Sequence, residues 1–83
     1  MKFKAEIDIM PHDALLDPQG KAVQAGLQNL GLSGVDQVRV GKHISISLEA
    51  DSEAAAKAAV DEACKKLLAN LIVERYHFEI AAV

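Results

Sequence analysis

The sequence is poor in the residues that advertise chemistry: it has no tryptophan, one cysteine, one tyrosine, two phenylalanines and two prolines among 83 residues. One cysteine excludes an internal disulfide and a paired-cysteine metal loop. Positive charge is also scarce, with nine Lys and Arg against 12 Asp and Glu, a net charge of −3 and no basic block. Phosphate backbones are held by clustered cations, so no nucleic-acid partner is expected. No apolar run approaches the roughly 18 residues that cross a bilayer, so no membrane association is expected either. Near the N-terminus the apolar residues alternate with Lys2, Lys4, Glu6 and Asp8, unlike the apolar stretch of a secretory signal. The cytoplasm is the expected compartment.

What is present suits a single domain, residues 1–83. Hydrophobic residues make up 51% of the chain, yet 14 of them are alanines, so the larger side chains available for burial are few. Area scaling for this mass gives a folded surface of roughly 4,800 Å² against about 12,900 Å² unfolded, so folding hides only about 63%. A core that thin gains stability from a partner or from further copies of the chain.

Residues 2–9 alternate strictly, with Phe3, Ala5, Ile7 and Ile9 on one side and four charges on the other, the period of a half-buried strand. A loop is expected over residues 10–16. Asp17-Pro18 then has the order of a helix cap followed by proline at the first helical position. Val23, Leu27 and Leu30, with Ala22 and Gly26 beside them, form an apolar stripe, and Gly31 can close the helix in the left-handed conformation. Residues 36–41 and 43–50 both have period 2 and are expected to form a hairpin through Gly41-Lys42. Asp51 or Ser52 can cap a second helix to about Ala69, with Ala56, Val60, Ala63, Cys64 and Leu67 inward, and Asn70 as a left-handed stop. Leu71 to Val83 alternates once more. The order β-α-β-β-α-β predicts an α+β fold, a ferredoxin-like plait: a four-stranded antiparallel sheet with two helices on one face.

On that fold the open sheet face is polar, and the three aromatics, Phe3, Tyr76 and Phe78, fall on the buried side, which excludes base stacking in the manner of RNA-recognition plaits. Cys64 reads as a small core residue, and His12, His43 and His77 share no ligand spacing. Ser45 and Ser47 could approach His43 or His77, but a flat sheet implies no cleft for nucleophilic catalysis. Two features remain. At Asp17-Pro18-Gln19-Gly20, glycine at the third helical position costs roughly 0.8–1 kcal/mol of helix propensity; either Gly20 lets the backbone pack closely, or a partner or anion approaches the free amides. Arg39-Val40-Gly41-Lys42 is expected at an exposed hairpin tip, as a solvated turn or as a cationic contact.

Three segments carry a family resemblance: residues 16–23 (Leu-Asp-Pro-Gln-Gly-Lys-Ala-Val), residues 38–42 (Val-Arg-Val-Gly-Lys), and Lys66-Leu67-Leu68-Ala69-Asn70 followed by Val73-Glu74 and Tyr76. In this order and at this length the chain resembles the small-subunit (PurS) family of phosphoribosylformylglycinamidine synthase, the glutamine-dependent ligase of purine biosynthesis assembled from three separate chains. Leu71 departs from that family's proline or threonine, and Arg75 from its carboxylate or amide. The resemblance implies a subunit with no catalytic residues, which binds no cofactor or metal by itself. It would bridge a glutaminase and a synthetase chain in an assembly that uses ATP and magnesium. It also places a partner interface at Asp17, Pro18, Gln19, Gly20, Arg39, Gly41, Lys42 and Asn70. The thin core and the sheet edges add the expectation of a homodimer or homotetramer. The alternatives are an ACT-like domain sensing a small molecule, and a plait of acylphosphatase type, which needs a phosphate-holding arginine that residues 10–16 lack.

Overall fold

The structure, a computed structural model, describes residues 1–13 and 17–83. The loop expected over residues 10–16 therefore lies partly outside the described residues, and so does Leu16 of the first family segment. Strand β1 spans Lys2–Pro11, helix α1 Pro18–Asn29, strand β2 Lys42–Glu49, helix α2 Glu53–Ala63 and strand β3 Glu74–Ala82, with a π-helical turn over Cys64–Leu68. The sheet has the order β2-β1-β3, and β1 is antiparallel to both neighbours. Its alternation does what the pattern demands: Phe3, Ala5, Ile7 and Ile9 are all buried. Across the three strands Ile46, Ala5 and Ile80 stand in one row, and Ile44, Ile7 and Phe78 in the next.

The fold is α+β, as expected, but among the described residues the sheet has three strands and not four. Residues 36–41 form no strand, and Gly41-Lys42 is no hairpin, since Lys42 opens β2. The alternating Val38 and Val40 are half-buried for another reason: the segment lies against the corner between β1 and α1. There the Val40 amide donates to an Asp17 carboxylate oxygen at 2.9 Å. A backbone donor committed to a side chain is no longer available to a ladder.

Helix α2 begins at Ser52, whose hydroxyl accepts from the Ala55 amide at 3.1 Å. Its inward stripe, Ala56, Val60 and Cys64, is buried against β1 and β3. The expected continuation through Leu67 is wrong: Leu67 is 82% exposed, while Leu68 packs on the core. At Cys64–Leu68 the Ala69 amide donates to the Cys64 carbonyl at 3.0 Å, five residues back, and the widened turn shifts the helix phase by one residue. Asn70 is not left-handed, since the only positive φ among the described residues belongs to Gly31, at +94°. Asn70 instead closes a turn, its Oδ1 accepting from the Ile72 amide at 3.2 Å.

Helix α1 has the expected cap and the expected glycine stop, but it does not lie on the sheet. Val23 is 44% and Leu30 80% exposed, and Gly20 is its only buried residue. The molecule is 51 × 27 × 14 Å with a radius of gyration of 16.4 Å, against roughly 11.8 Å for a compact chain of this length. Among the described residues α2 and the π-helical turn after it cover the apolar sheet face, and Ile44, Ile46 and Leu48 of β2 stay half-buried.

The π turn makes neighbouring leucines unequal. Leu68→Ala is expected to cost about 1–2 kcal/mol, below the range for a fully buried leucine because the side chain is half-buried, and Leu67→Ala less than about 0.5 kcal/mol. Urea unfolding of both variants checks this. Equal losses would place both side chains on the same footing and remove the phase shift.

Candidate partner-binding surface

Asp17 organises the corner from which α1 departs. One carboxylate oxygen accepts from the Gly20 amide at 3.0 Å and the other from the Val40 amide at 2.9 Å. These two bonds, Gly20 first, hold its carboxyl below the usual carboxylate range. The helix-start amide that could have drawn an anion is thus occupied by the chain's own carboxylate. Gly20 is needed for close packing: a Cβ there would stand 2.2 Å from the Val38 carbonyl oxygen and 2.7 Å from Asp17 Oδ2. Gly41 has a like reason, since its Cβ would meet Met10 Sδ at 2.2 Å and the Ile9 carbonyl oxygen at 2.4 Å.

Arg39 does not sit at an exposed tip. It is half-buried, and its guanidinium donates to the carbonyls of Pro11 at 3.0 Å, His12 at 2.5 Å and Asp13 at 3.4 Å. It stitches residues 36–41 to the end of β1. Lys42 is the exposed member of that segment, its Nζ 3.9 Å from Glu74 Oε2. The other Glu74 oxygen accepts from the Asn70 amide at 2.8 Å. His12 ties the same corner to the turn before β3: its amide donates to the Val73 carbonyl at 2.9 Å and its Nε2–H to the Leu71 carbonyl at 3.2 Å. Arg75 donates to Asp13 at 3.0 Å and holds that carboxyl below its usual range.

These ties bring the three sequence segments together. Pro11, Asp17, Pro18, Gln19, Val40, Val73 and Glu74 line one groove of about 590 Å³. Of the residues singled out in the sequence, Asp17, Pro18 and Gln19 line the groove directly. Lys42 and Asn70 contact its Glu74 wall, while Gly20, Arg39 and Gly41 do not line it. Neither Pro11 nor His12 stands out in the sequence as part of this surface, because their roles depend on the end of β1 meeting the turn at residues 70–73. Leu71 and Ile72, 47% and 87% exposed, extend the apolar surface beyond the groove.

The open sheet face holds a second cluster. His43 Nδ1 lies 2.6 Å from Asp8 Oδ1 and its Nε2 2.6 Å from Glu6 Oε2, while the Ser45 hydroxyl donates to Glu6 Oε1 at 3.1 Å. Ionised carboxylates only accept, so this geometry favours the imidazolium form, in which both ring nitrogens donate. Asp8 and then Glu6 raise its pKa, and His43 in turn lowers that of Glu6. Elsewhere the Tyr76 hydroxyl donates to Asp61 at 2.5 Å, which pushes it up to about 12. Cys64 is buried, its thiol pushed up by desolvation. Among the described residues no group of three His, Cys, Asp or Glu side chains is arranged to hold a metal, and no helix is long and apolar enough to cross a membrane.

Two outcomes are expected. Arg39→Ala, which removes the donor to three carbonyls, is expected to lower stability by about 1–3 kcal/mol and Asp17→Ala by about 1–2 kcal/mol, whereas Lys42→Ala changes it by less than about 0.5 kcal/mol. Chemical denaturation reads all three, and an unchanged midpoint for Arg39→Ala would contradict the stitching role. By NMR, His43 is expected to titrate above the ordinary histidine value of about 6.5, and Glu6→Gln with Asp8→Asn to bring it back. Because the folded midpoint lies above the unfolded one, the histidine's own contribution is full below about pH 6.5 and fades as pH rises through the folded midpoint, whereas that of Glu6, whose carboxyl is lowered, is lost as pH falls through the carboxylate range. A wild-type midpoint at the ordinary value would contradict the double contact.

Comparison with known proteins identifies the family. The family model described as "PurS: Phosphoribosylformylglycinamidine (FGAM) synthase" matches residues 4–82. The phosphoribosylformylglycinamidine synthase subunit PurS of Synechocystis is 48% identical over 81 residues, covering 98% of this chain and 81% of the relative. PurS of Methanocaldococcus jannaschii, one of the subunits of formylglycinamide ribonucleotide amidotransferase in the purine biosynthetic pathway, superposes with a TM-score of 0.86 at 33% identity, covering 98% of each chain. A chain of the PurLQS structure from Thermotoga maritima gives a TM-score of 0.89 at 31% identity, covering 98% of this chain and 99% of that one. Family membership takes the place of the ACT-like alternative. With the match running through nearly the whole sequence and through all three segments that meet at the groove, the chain belongs to the PurS family of phosphoribosylformylglycinamidine synthase.

Proposed function

We propose that this chain acts as one domain, residues 1–83, and as the non-catalytic small subunit of phosphoribosylformylglycinamidine synthase. It bridges the glutaminase and synthetase chains while the assembly converts formylglycinamide ribonucleotide to its amidine with ATP and glutamine. The observation that carries this reading is the convergence of the three family segments on one groove, which is an arrangement for binding a partner. Three of the side chains that could have formed a nucleophile or base are committed elsewhere. Ser45 donates to Glu6, both nitrogens of His43 face carboxylates, and Cys64 is buried.

The groove offers Pro11, Pro18, Val40 and Val73 as an apolar floor, and Gln19, Glu74 and Lys42 as a polar rim. An apolar floor inside a polar rim is the usual anatomy of a protein contact. ATP and magnesium serve the complex and are bound outside this chain. The described residues provide no carboxylate set that fits a divalent cation. The chain itself works in the complex as a homodimer or homotetramer, for which the exposed α1 stripe and the free edges of β2 and β3 are the support.

Reconstitution from three purified chains tests the reading. Gln19→Arg with Val73→Asp changes two exposed groove positions, so the melting temperature is expected to stay within a few degrees. Co-purification with the synthetase or glutaminase chain and glutamine-dependent amidation are each expected to fall at least about ten-fold, the equivalent of roughly 1.4 kcal/mol of binding. Wild-type assembly by this variant would move the interface away from the groove.

A further inference from the structure

We infer that the groove takes a cationic segment of a neighbouring subunit: a lysine or arginine of that segment binds Glu74 Oε2, and an apolar side chain next to it fills the floor. The inference rests on the groove being the partner surface and names the chemistry of what it binds.

Three observations carry it. First, the two carboxylates of the groove are not equivalent. Both oxygens of Asp17 accept from backbone amides, those of Gly20 and Val40, whereas Glu74 has only Oε1 so engaged, by the Asn70 amide at 2.8 Å. Its Oε2 has Lys42 Nζ at 3.9 Å, beyond hydrogen-bond distance. Second, the Glu74 side chain is 23% exposed against 52% for Lys42, so the carboxylate is largely enclosed while its cation stands in solvent. Third, Pro11, Pro18, Val40 and Val73 make most of the lining apolar, and among the described residues no basic side chain lines the groove.

A partner that covers this groove removes Glu74 from water. A carboxylate taken out of water is costly unless a hydrogen-bonded cation compensates it, and a surface pair as long as Lys42–Glu74 contributes little. Apolar walls lower the local dielectric and strengthen the attraction of the carboxylate for an incoming cation. The demand therefore falls on the occupant. A neutral or acidic segment would strand the charge, whereas a lysine or arginine satisfies it and is oriented by it. With Oε1 committed to the Asn70 amide, the contact is made at one oxygen, so either cation serves and no bidentate fork is required. Val73 and Glu74 both line the groove and adjoin in the chain, so the occupant carries its apolar and cationic side chains close together.

Calorimetric binding of the full-length chain to the purified synthetase and glutaminase chains, singly and together, tests this and shows which of them supplies the cation. Glu74→Gln retains the acceptor for the Asn70 amide, so its melting temperature is expected to stay within a few degrees. Its affinity is expected to fall at least about five-fold, and to lose most of the salt dependence that the wild type shows between about 50 and 500 mM salt. Lys42→Gln removes only the outer cation and is expected to bind within about two-fold of wild type. Weaker binding by Lys42→Gln alone would make the preferred segment acidic, and equal weakening by both variants would mean that Lys42 itself closes on Glu74; either result overturns the inference. Loss of self-association by Glu74→Gln, with binding to the larger chains unchanged, would seat a second copy in the groove and overturn it too. A wild-type affinity insensitive to salt would overturn it without any substitution. Wild-type binding by Glu74→Gln beside weakened binding by Gln19→Arg/Val73→Asp would give the groove a neutral occupant, which overturns the inference while leaving the interface standing. Unchanged binding by all of these variants would overturn both.

Discussion

The two bonds accepted by the Asp17 carboxylate decide more of this structure than any other contact. Through Gly20 the residue starts α1, and through Val40 it draws in a segment 23 residues further along. Gly20 and Gly41 permit the approach because neither has a Cβ to obstruct it. Arg39 then secures the drawn-in segment on the carbonyls that end β1. The corner is polar and closely hydrogen-bonded, so it holds its shape without a deep core. From that corner both the groove and the direction of α1 follow.

Such an arrangement suits a chain with little apolar mass. Only β1 is buried along its whole inward face, and the flanking strands are covered in part. A larger protein would bury α1 and close the sheet. This one keeps a rigid corner, a groove and an extended helix available to other chains, and a subunit that connects others needs such surfaces more than it needs a pocket for chemistry.

Much of this was legible in the sequence, and the exceptions have physical causes. The alternation of β1, the Asp17-Pro18 start, the Gly31 stop and the Ser52 cap each depend on near neighbours, so local pattern sufficed. Residues 36–41 have the period of a strand, yet the Val40 amide is taken by Asp17 and the Arg39 side chain turns to β1, partners that no local pattern reveals. The stripe of α1 was visible as apolar, but a pattern does not say whether the covering surface belongs to the same chain. The π turn left no mark, because a one-residue phase slip resembles an ordinary choice between Leu67 and Leu68. The interface residues were named through the family resemblance, and Glu74, held between Lys42 and the Asn70 amide, became a wall of the groove only in three dimensions.

The central claim is that the corner and its groove form the surface by which this chain meets the other subunits. Hydrogen exchange of the amides, with and without the synthetase and glutaminase chains, tests it most directly because it needs no substitution. The account predicts new protection concentrated at residues 17–20, 38–42 and 70–75. Protection confined to the open sheet face around His43, with the corner unchanged, would contradict it.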